Sequence, residues 1–188
     1  MSNLIHSLQE DLGLPHFLRV SPNTQDVKAS KVKDRSALLG QACITSVLLG
    51  LYQYTRDIDN AVCLLKPKQK GTWLEVIFNR YPEALEHRIV HYTETNSEKV
   101  REYLSRTADK AVEEVQTHLG PKATGEDVKH YMSNQRNHIL SFLPSELRAG
   151  ESVNNTSLDD ASNKMHGPFS DFMHWFEEFF ADSQKPLY

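Results

Sequence analysis

Between Ser36 and Thr55 the chain reads SALLGQACITSVLLGLYQYT and holds no charged residue. Wound at ~100° per residue, Leu38, Leu39, Ile44, Val47, Leu48, Leu49 and Leu51 point all round and no wide polar stripe forms. A helix apolar on every side is buried, in a core or in lipid. The length matches the ~20 residues of a membrane span. Gln41, Gln53, Tyr52 and Tyr54 dilute the apolar content, and the flanking Asp34, Arg35, Arg56 and Asp57 are mixed in sign. The expectation is therefore a core helix, and a membrane location is disfavoured. Ser36, Gly40, Cys43, Ser46 and Gly50 are small and share one stripe, which invites close approach of a neighbouring helix.

The remaining apolar positions recur at three and four, as amphipathic helices require. Residues 3–12 place Leu4, Ile5, Leu8 and Leu12 on one side before the Gly13 and Pro15 stop. The run from His16 to Arg35 is mixed and polar and reads as a solvated segment. Asp34 is placed to cap the central helix, and Asp57 to cap a stretch carrying Ile58, Ala61, Val62 and Leu65 inward. Thr72 with Glu75 forms a capping box ahead of a helix that buries Trp73, Leu74, Ile77 and Phe78. Pro82 suits the first position of a helix whose apolar edge is Leu85, Ile89 and Tyr92. A second capping box, Thr95 with Glu98, precedes the clearest periodicity in the chain. There Val100, Tyr103, Leu104, Ala108, Ala111, Val112, Val115 and Leu119 share a face until Gly120-Pro121. Thr124 and Asp127 open another helix, to about Leu143, with Val128, Tyr131, Met132, Ile139 and Phe142 inward.

No stretch alternates with period two over strand length, and no Asn-Gly or Asp-Gly hairpin signal occurs. The predicted fold is all-α: a single-domain bundle of six to eight helices around the buried helix at about 36–55. Residues 1–149 form the bundle. Residues 150–167, GESVNNTSLDDASNKMHG, read as a polar linker. Residues 168–182 read as a C-terminal aromatic amphipathic helix that packs on the bundle or on a partner.

Composition narrows the function. A net charge of -4 over 188 residues leaves no bulk basicity to neutralise phosphates, so nucleic acid is not an expected partner. The N-terminal MSNLIHSLQEDLG lacks the basic and apolar regions of a signal peptide, which points to the cytoplasm and makes the sequons at Asn154 and Asn155 uninformative. Cys43 and Cys63 sit in apolar runs and read as buried free thiols, without the basic setting that a reactive thiolate needs. No nucleophile elbow, phosphate loop or dinucleotide fingerprint is present.

Two stretches carry candidate chemistry. Glu83, His87 and His91 stand four apart and line one ridge, away from Leu85, Ile89 and Tyr92. Such a ridge could ligate a divalent transition metal, with Glu114 and His118, or Asp127 and His130, completing it from a second helix. Its plainer reading is a solvated helix face. His138, among Tyr131, Met132, Ile139 and Phe142, reads as an interior or boundary histidine. The second stretch is FSDFMHWFEEFF. As a helix it gathers Phe169, Phe172, Met173, Phe176, Phe179 and Phe180 on one side, with Asp171, Glu177 and Glu178 opposite. Each ring fully buried contributes about 1.5–3 kcal/mol, so this face does not stay in water. Its acidic polar side disfavours anionic membrane surfaces. Lys66, Lys68 and Lys70 form a basic run that reads as a solvated helix end.

The functional expectation is a non-catalytic interaction or assembly protein that self-associates or binds a protein partner through Phe169–Phe180. The alternative is a metal-binding helical enzyme using the Glu83, His87 and His91 ridge.

Overall fold

The computed structural model describes residues 3–17, 19, 34–68, 71–144 and 147. It contains seven helices and no strand among these residues. They are α1 (Leu4–Asp11), α2 (Arg35–Tyr54), α3 (Ile58–Leu64), α4 (Trp73–Phe78), α5 (Glu83–Thr93), α6 (Ser97–Leu119) and α7 (Gly125–Phe142). The expected linker at 150–167 and the expected aromatic helix at 168–182 lie outside the described residues.

The caps form as side-chain chemistry requires. Asp34 accepts from the Ser36 N–H, and Asp57 from the N–H groups of Asp59 and Asn60. Thr72–Glu75 and Thr124–Asp127 are reciprocal capping boxes. The expected Thr95–Glu98 box does not form. Asn96 caps α6 instead, accepting from the Lys99 N–H at 2.8 Å, while the Thr95 hydroxyl donates to the Thr93 carbonyl. Pro82 stands one position earlier than expected, as the N-cap residue of α5.

α2 is the centre. Every residue from Ala37 to Leu51 is buried, and α6 and α7 supply most of its tertiary contacts. The helix passes a membrane-span test by length and hydropathy, yet 83% of that window is buried by other parts of the chain. One core joins Leu4, Ile5 and Leu8 of α1 with Leu39, Leu48 and Leu51 of α2, Leu74 and Phe78 of α4, Ile89 of α5, Leu104 and Val112 of α6 and Met132 of α7.

At its two glycines the small stripe of α2 accepts side chains rather than a helix backbone. A Cβ placed on Gly50 would lie 2.5 Å from the Phe78 ring, and one on Gly40 would lie 2.6 Å from Leu14. Polar clips tie the ends together. Gln135 of α7 accepts from the Leu4 N–H at 3.2 Å, and Gln41 of α2 donates to the Phe142 carbonyl at 2.7 Å.

Several expected inward positions lie elsewhere. Ile58 and Val62 are exposed, at 38% and 36%. α3 turns Ala61 and Leu64 inward, and Ile58 and Val62 lie along the rim against Gly125 of α7. Trp73, Tyr131 and Phe142 are half-buried, and His138 is exposed. In the polar run after α1, Phe17 joins the core.

Candidate partner-binding cleft

The last turn of α2, the end of α3 and the first turns of α4 leave a cleft of about 300 Å³. Tyr54, Cys63, Lys66, Pro67, Lys68, Trp73 and Val76 line it. Pro67 has no N–H to continue α3, so the chain must turn there. The Gln116 side chain donates to the Leu64 carbonyl at 2.6 Å and holds the end of α3 against α6. Lys68 pairs loosely with Asp109 of α6 at 3.4 Å. Among the described residues no carboxylate pairs with Lys66. The Thr72 box then starts α4, which turns Leu74 into the core and leaves Trp73 half-buried at the cleft.

Two sequence expectations are corrected here. Cys63 is exposed, not buried. It also has a basic setting, because Lys66 and Lys68 share its cleft. A seven-residue helix on the flank of a bundle has few positions to bury, and Ala61 and Leu64 fill them. Cys43 is buried in α2, where the loss of hydration pushes its thiol pKa far up and keeps it inert. Burial pushes the Tyr54 phenol up as well, with Cys63 and Asp57 adding to the effect. The cleft thus combines two aromatic rings, two cations and one accessible thiol.

The histidine ridge is where the sequence placed it. Glu83, His87 and His91 are all exposed on α5. Glu83 lies in the first turn, where its charge complements the helix dipole, and His91 lies in the last. Among the described residues, no three His, Cys, Asp or Glu side chains stand close enough together to hold a metal ion. Asp127 is committed to the Thr124 cap. Glu114 lies 13 positions along α6 from Arg101, where α5 docks, or about 20 Å at ~1.5 Å per residue.

Sequence reasoning missed the polar centre of α5, which is Glu86. It is 2% exposed. It accepts from the Tyr81 hydroxyl at 2.6 Å, from the Ser97 hydroxyl and from Arg101 Nε at 2.9 Å. The Arg101 guanidinium also lies over the Tyr81 ring, 5.3 Å from its centre. Burial pushes the Glu86 carboxyl up, but the hydrogen bonds from Ser97, Tyr81 and Arg101 outweigh it and hold the pKa below its ordinary value. The same node raises Tyr81, through burial first and its bond to Glu86 second. All the donors converge on one carboxylate, which makes this a clamp between α5 and α6. The available signal was a carboxylate one position from Leu85 and one turn from Ile89, on the edge of an apolar face.

Glu114 and His118 belong to a different cluster. Burial and the neighbouring Asp11 carboxyl of α1 raise the Glu114 pKa, with Glu113 adding and Lys110 opposing. His118 packs on Tyr131 of α7 at 4.6 Å between ring centres. Burial and Glu114 push Tyr131 up to about 12. A carboxyl whose pKa is raised in the native state contributes stability below its unfolded pKa and loses it as pH rises through the native one. Glu114→Gln is therefore expected to unfold at higher temperature than the parent at pH 7.5, with the difference vanishing near pH 4. Calorimetry at the two pH values checks this; an equal or lower Tm at pH 7.5 contradicts it.

The chain is thus a seven-helix all-α bundle, over the described residues, with an aromatic, cationic cleft where Tyr54 and Trp73 meet Lys66 and Lys68. Comparison with protein-family models, with curated proteins and with solved structures finds no match.

Proposed function

We propose that this protein is a non-catalytic interaction protein that self-associates through the segment Phe169–Phe180. The observation that supports this reading is a mismatch of apolar load. The segment carries five phenylalanines, a methionine and a tryptophan within twelve residues. The bundle already has a joined core from α1 to α7, including Leu143 and Leu147 beyond the last helix. A segment that apolar needs a receiving surface, and a helix laid into a groove is a common solution. The catalytic templates absent from the sequence add nothing against this reading. The polar constellations at Glu86 and Glu114 are occupied in joining helices.

The test is the oligomeric state of the full chain by sedimentation over a wide concentration range. The expected result is a dimer or larger species that Phe172→Glu/Phe176→Glu converts to monomer. A full chain that is monomeric at every concentration would falsify the reading. An oligomer unchanged in the double variant would move the interface to another surface.

A further inference from the structure

We infer that the cleft lined by Tyr54, Trp73, Lys66 and Lys68 receives the Phe169–Phe180 segment of a second copy of this chain. This rests on the self-association reading and names the surface on which it would act.

Chemistry matches on the two sides. The cleft offers apolar walls from Tyr54, Pro67, Trp73 and Val76, with Lys66 and Lys68 among them. Wound as a helix, the segment's sequence would set a phenylalanine face against Asp171, Glu177 and Glu178 on the other side. Glu177 is the acid nearest the edge of that face, where it can meet a lysine at the rim. At about 300 Å³ the cleft is at the small end of binding pockets, suited to an aromatic anchor rather than to a large ligand. Aromatic anchors in small pockets, surrounded by a polar rim, carry most of the energy of typical interfaces. Lysine above the face of an aromatic ring adds a cation–π term.

Length also matches. The Phe142 carbonyl sits on Gln41, so α7 ends beside the first half of α2. Tyr54 lies 13 positions further along α2, about 20 Å at ~1.5 Å per residue. Leu147 and Pro168 are 21 positions apart, and a flexible chain of that many residues would have a root-mean-square reach of about 25 Å. Each copy supplies one segment and one cleft, so reciprocal exchange closes a two-fold dimer and leaves no free adhesive end. The same reach lets a segment find its own cleft, and the experiment must separate the two.

Cys63 makes that separation direct. It lines the cleft and is exposed, whereas Cys43 is buried and silent. The full chain carrying Phe179→Cys, or in a second variant Phe172→Cys, is oxidised mildly at a concentration where the parent is dimeric. The expected product is an interchain disulfide to Cys63, formed at least about tenfold faster than from Ser162→Cys in the linker, as a raised effective concentration requires. Lys66→Glu/Lys68→Glu is expected to slow it, and adding Glu177→Lys to restore part of the rate. An intrachain disulfide alone overturns exchange between copies. No preference over Ser162→Cys, in a chain that still dimerises, overturns the cleft as the receiving surface while leaving self-association intact. A chain that never dimerises fails at the earlier step instead.

Discussion

Phe78→Ala is expected to destabilise the fold by about 3–5 kcal/mol, the usual cost of emptying a fully buried aromatic site. Phe78 is 1% exposed, and its ring rests on the bare backbone of Gly50. No Cβ exists there to fill the hole, so the site cannot collapse from that side. A loss of this size is a large part of the ~5–15 kcal/mol that native domains possess. Urea unfolding should show a lower midpoint with an unchanged slope. The reciprocal change is informative. Gly50→Ala drives a methyl to within 2.5 Å of the ring and is expected to cost about 1–3 kcal/mol by overpacking. Phe78→Leu/Gly50→Ala should cost less than the sum of its two single changes, because the smaller side chain vacates what the methyl needs. A strictly additive pair would show that ring and glycine do not meet.

Glu86→Ala is expected to be the second large loss, about 2–3 kcal/mol, from the half-buried Tyr81 hydroxyl left without an acceptor and from the vacated carboxylate site. Glu86→Gln keeps an acceptor in place and should fall between the parent and the alanine variant. The acid limb of the stability curve gives an independent check. The native pKa of Glu86 is lowered, so its contribution is present above the ordinary glutamate value of ~4.3 and is lost as pH falls through the native one. The gap between parent and Glu86→Ala should therefore narrow in strong acid. If the gap stays constant down to pH 2, the carboxylate is not what holds α5 to α6.

These two sites differ in how far they could be read from the chain. The seat of Phe78 was half legible. Gly50 stood on a small stripe and Phe78 on an apolar edge, but only the tertiary fold brings one onto the other. Caps and the central helix were legible because their determinants are local. Asp34, Asp57, Thr72 and Thr124 each act within three residues, and α2 declares itself by the absence of charge from Ser36 onward. Where two local solutions compete, the chain alone does not choose between them. Thr95 and Asn96 are adjacent cap candidates, and the backbone enters α6 at Asn96. Short flanking helices fail for another reason. α3 has one side against the bundle, and its apolar residues do not reveal which side that is. Hence Ile58, Val62 and Cys63 lie outward and the cleft went unseen. Glu86 was missed because its donors come from three places: the turn before α5, the first turn of α6 and the next turn beyond. The aromatic run at 169–180 stood out in the sequence as residues in need of cover. The cleft was not, since it exists only where three helix ends meet.

The burial of α2 also has a consequence for synthesis. Its chief partners, α6 and α7, are made after it, and Phe142 follows Leu51 by 91 positions. At ~5–20 residues per second, a ribosome needs roughly 5–20 seconds to produce them. During that interval the nascent polypeptide carries a helix of membrane-spanning length, uncharged from Ser36 onward, whose cover from α4 to α7 is still incomplete. Chaperone holdases and targeting factors that scan emerging chains for such helices would meet this one early, before α7 has been made.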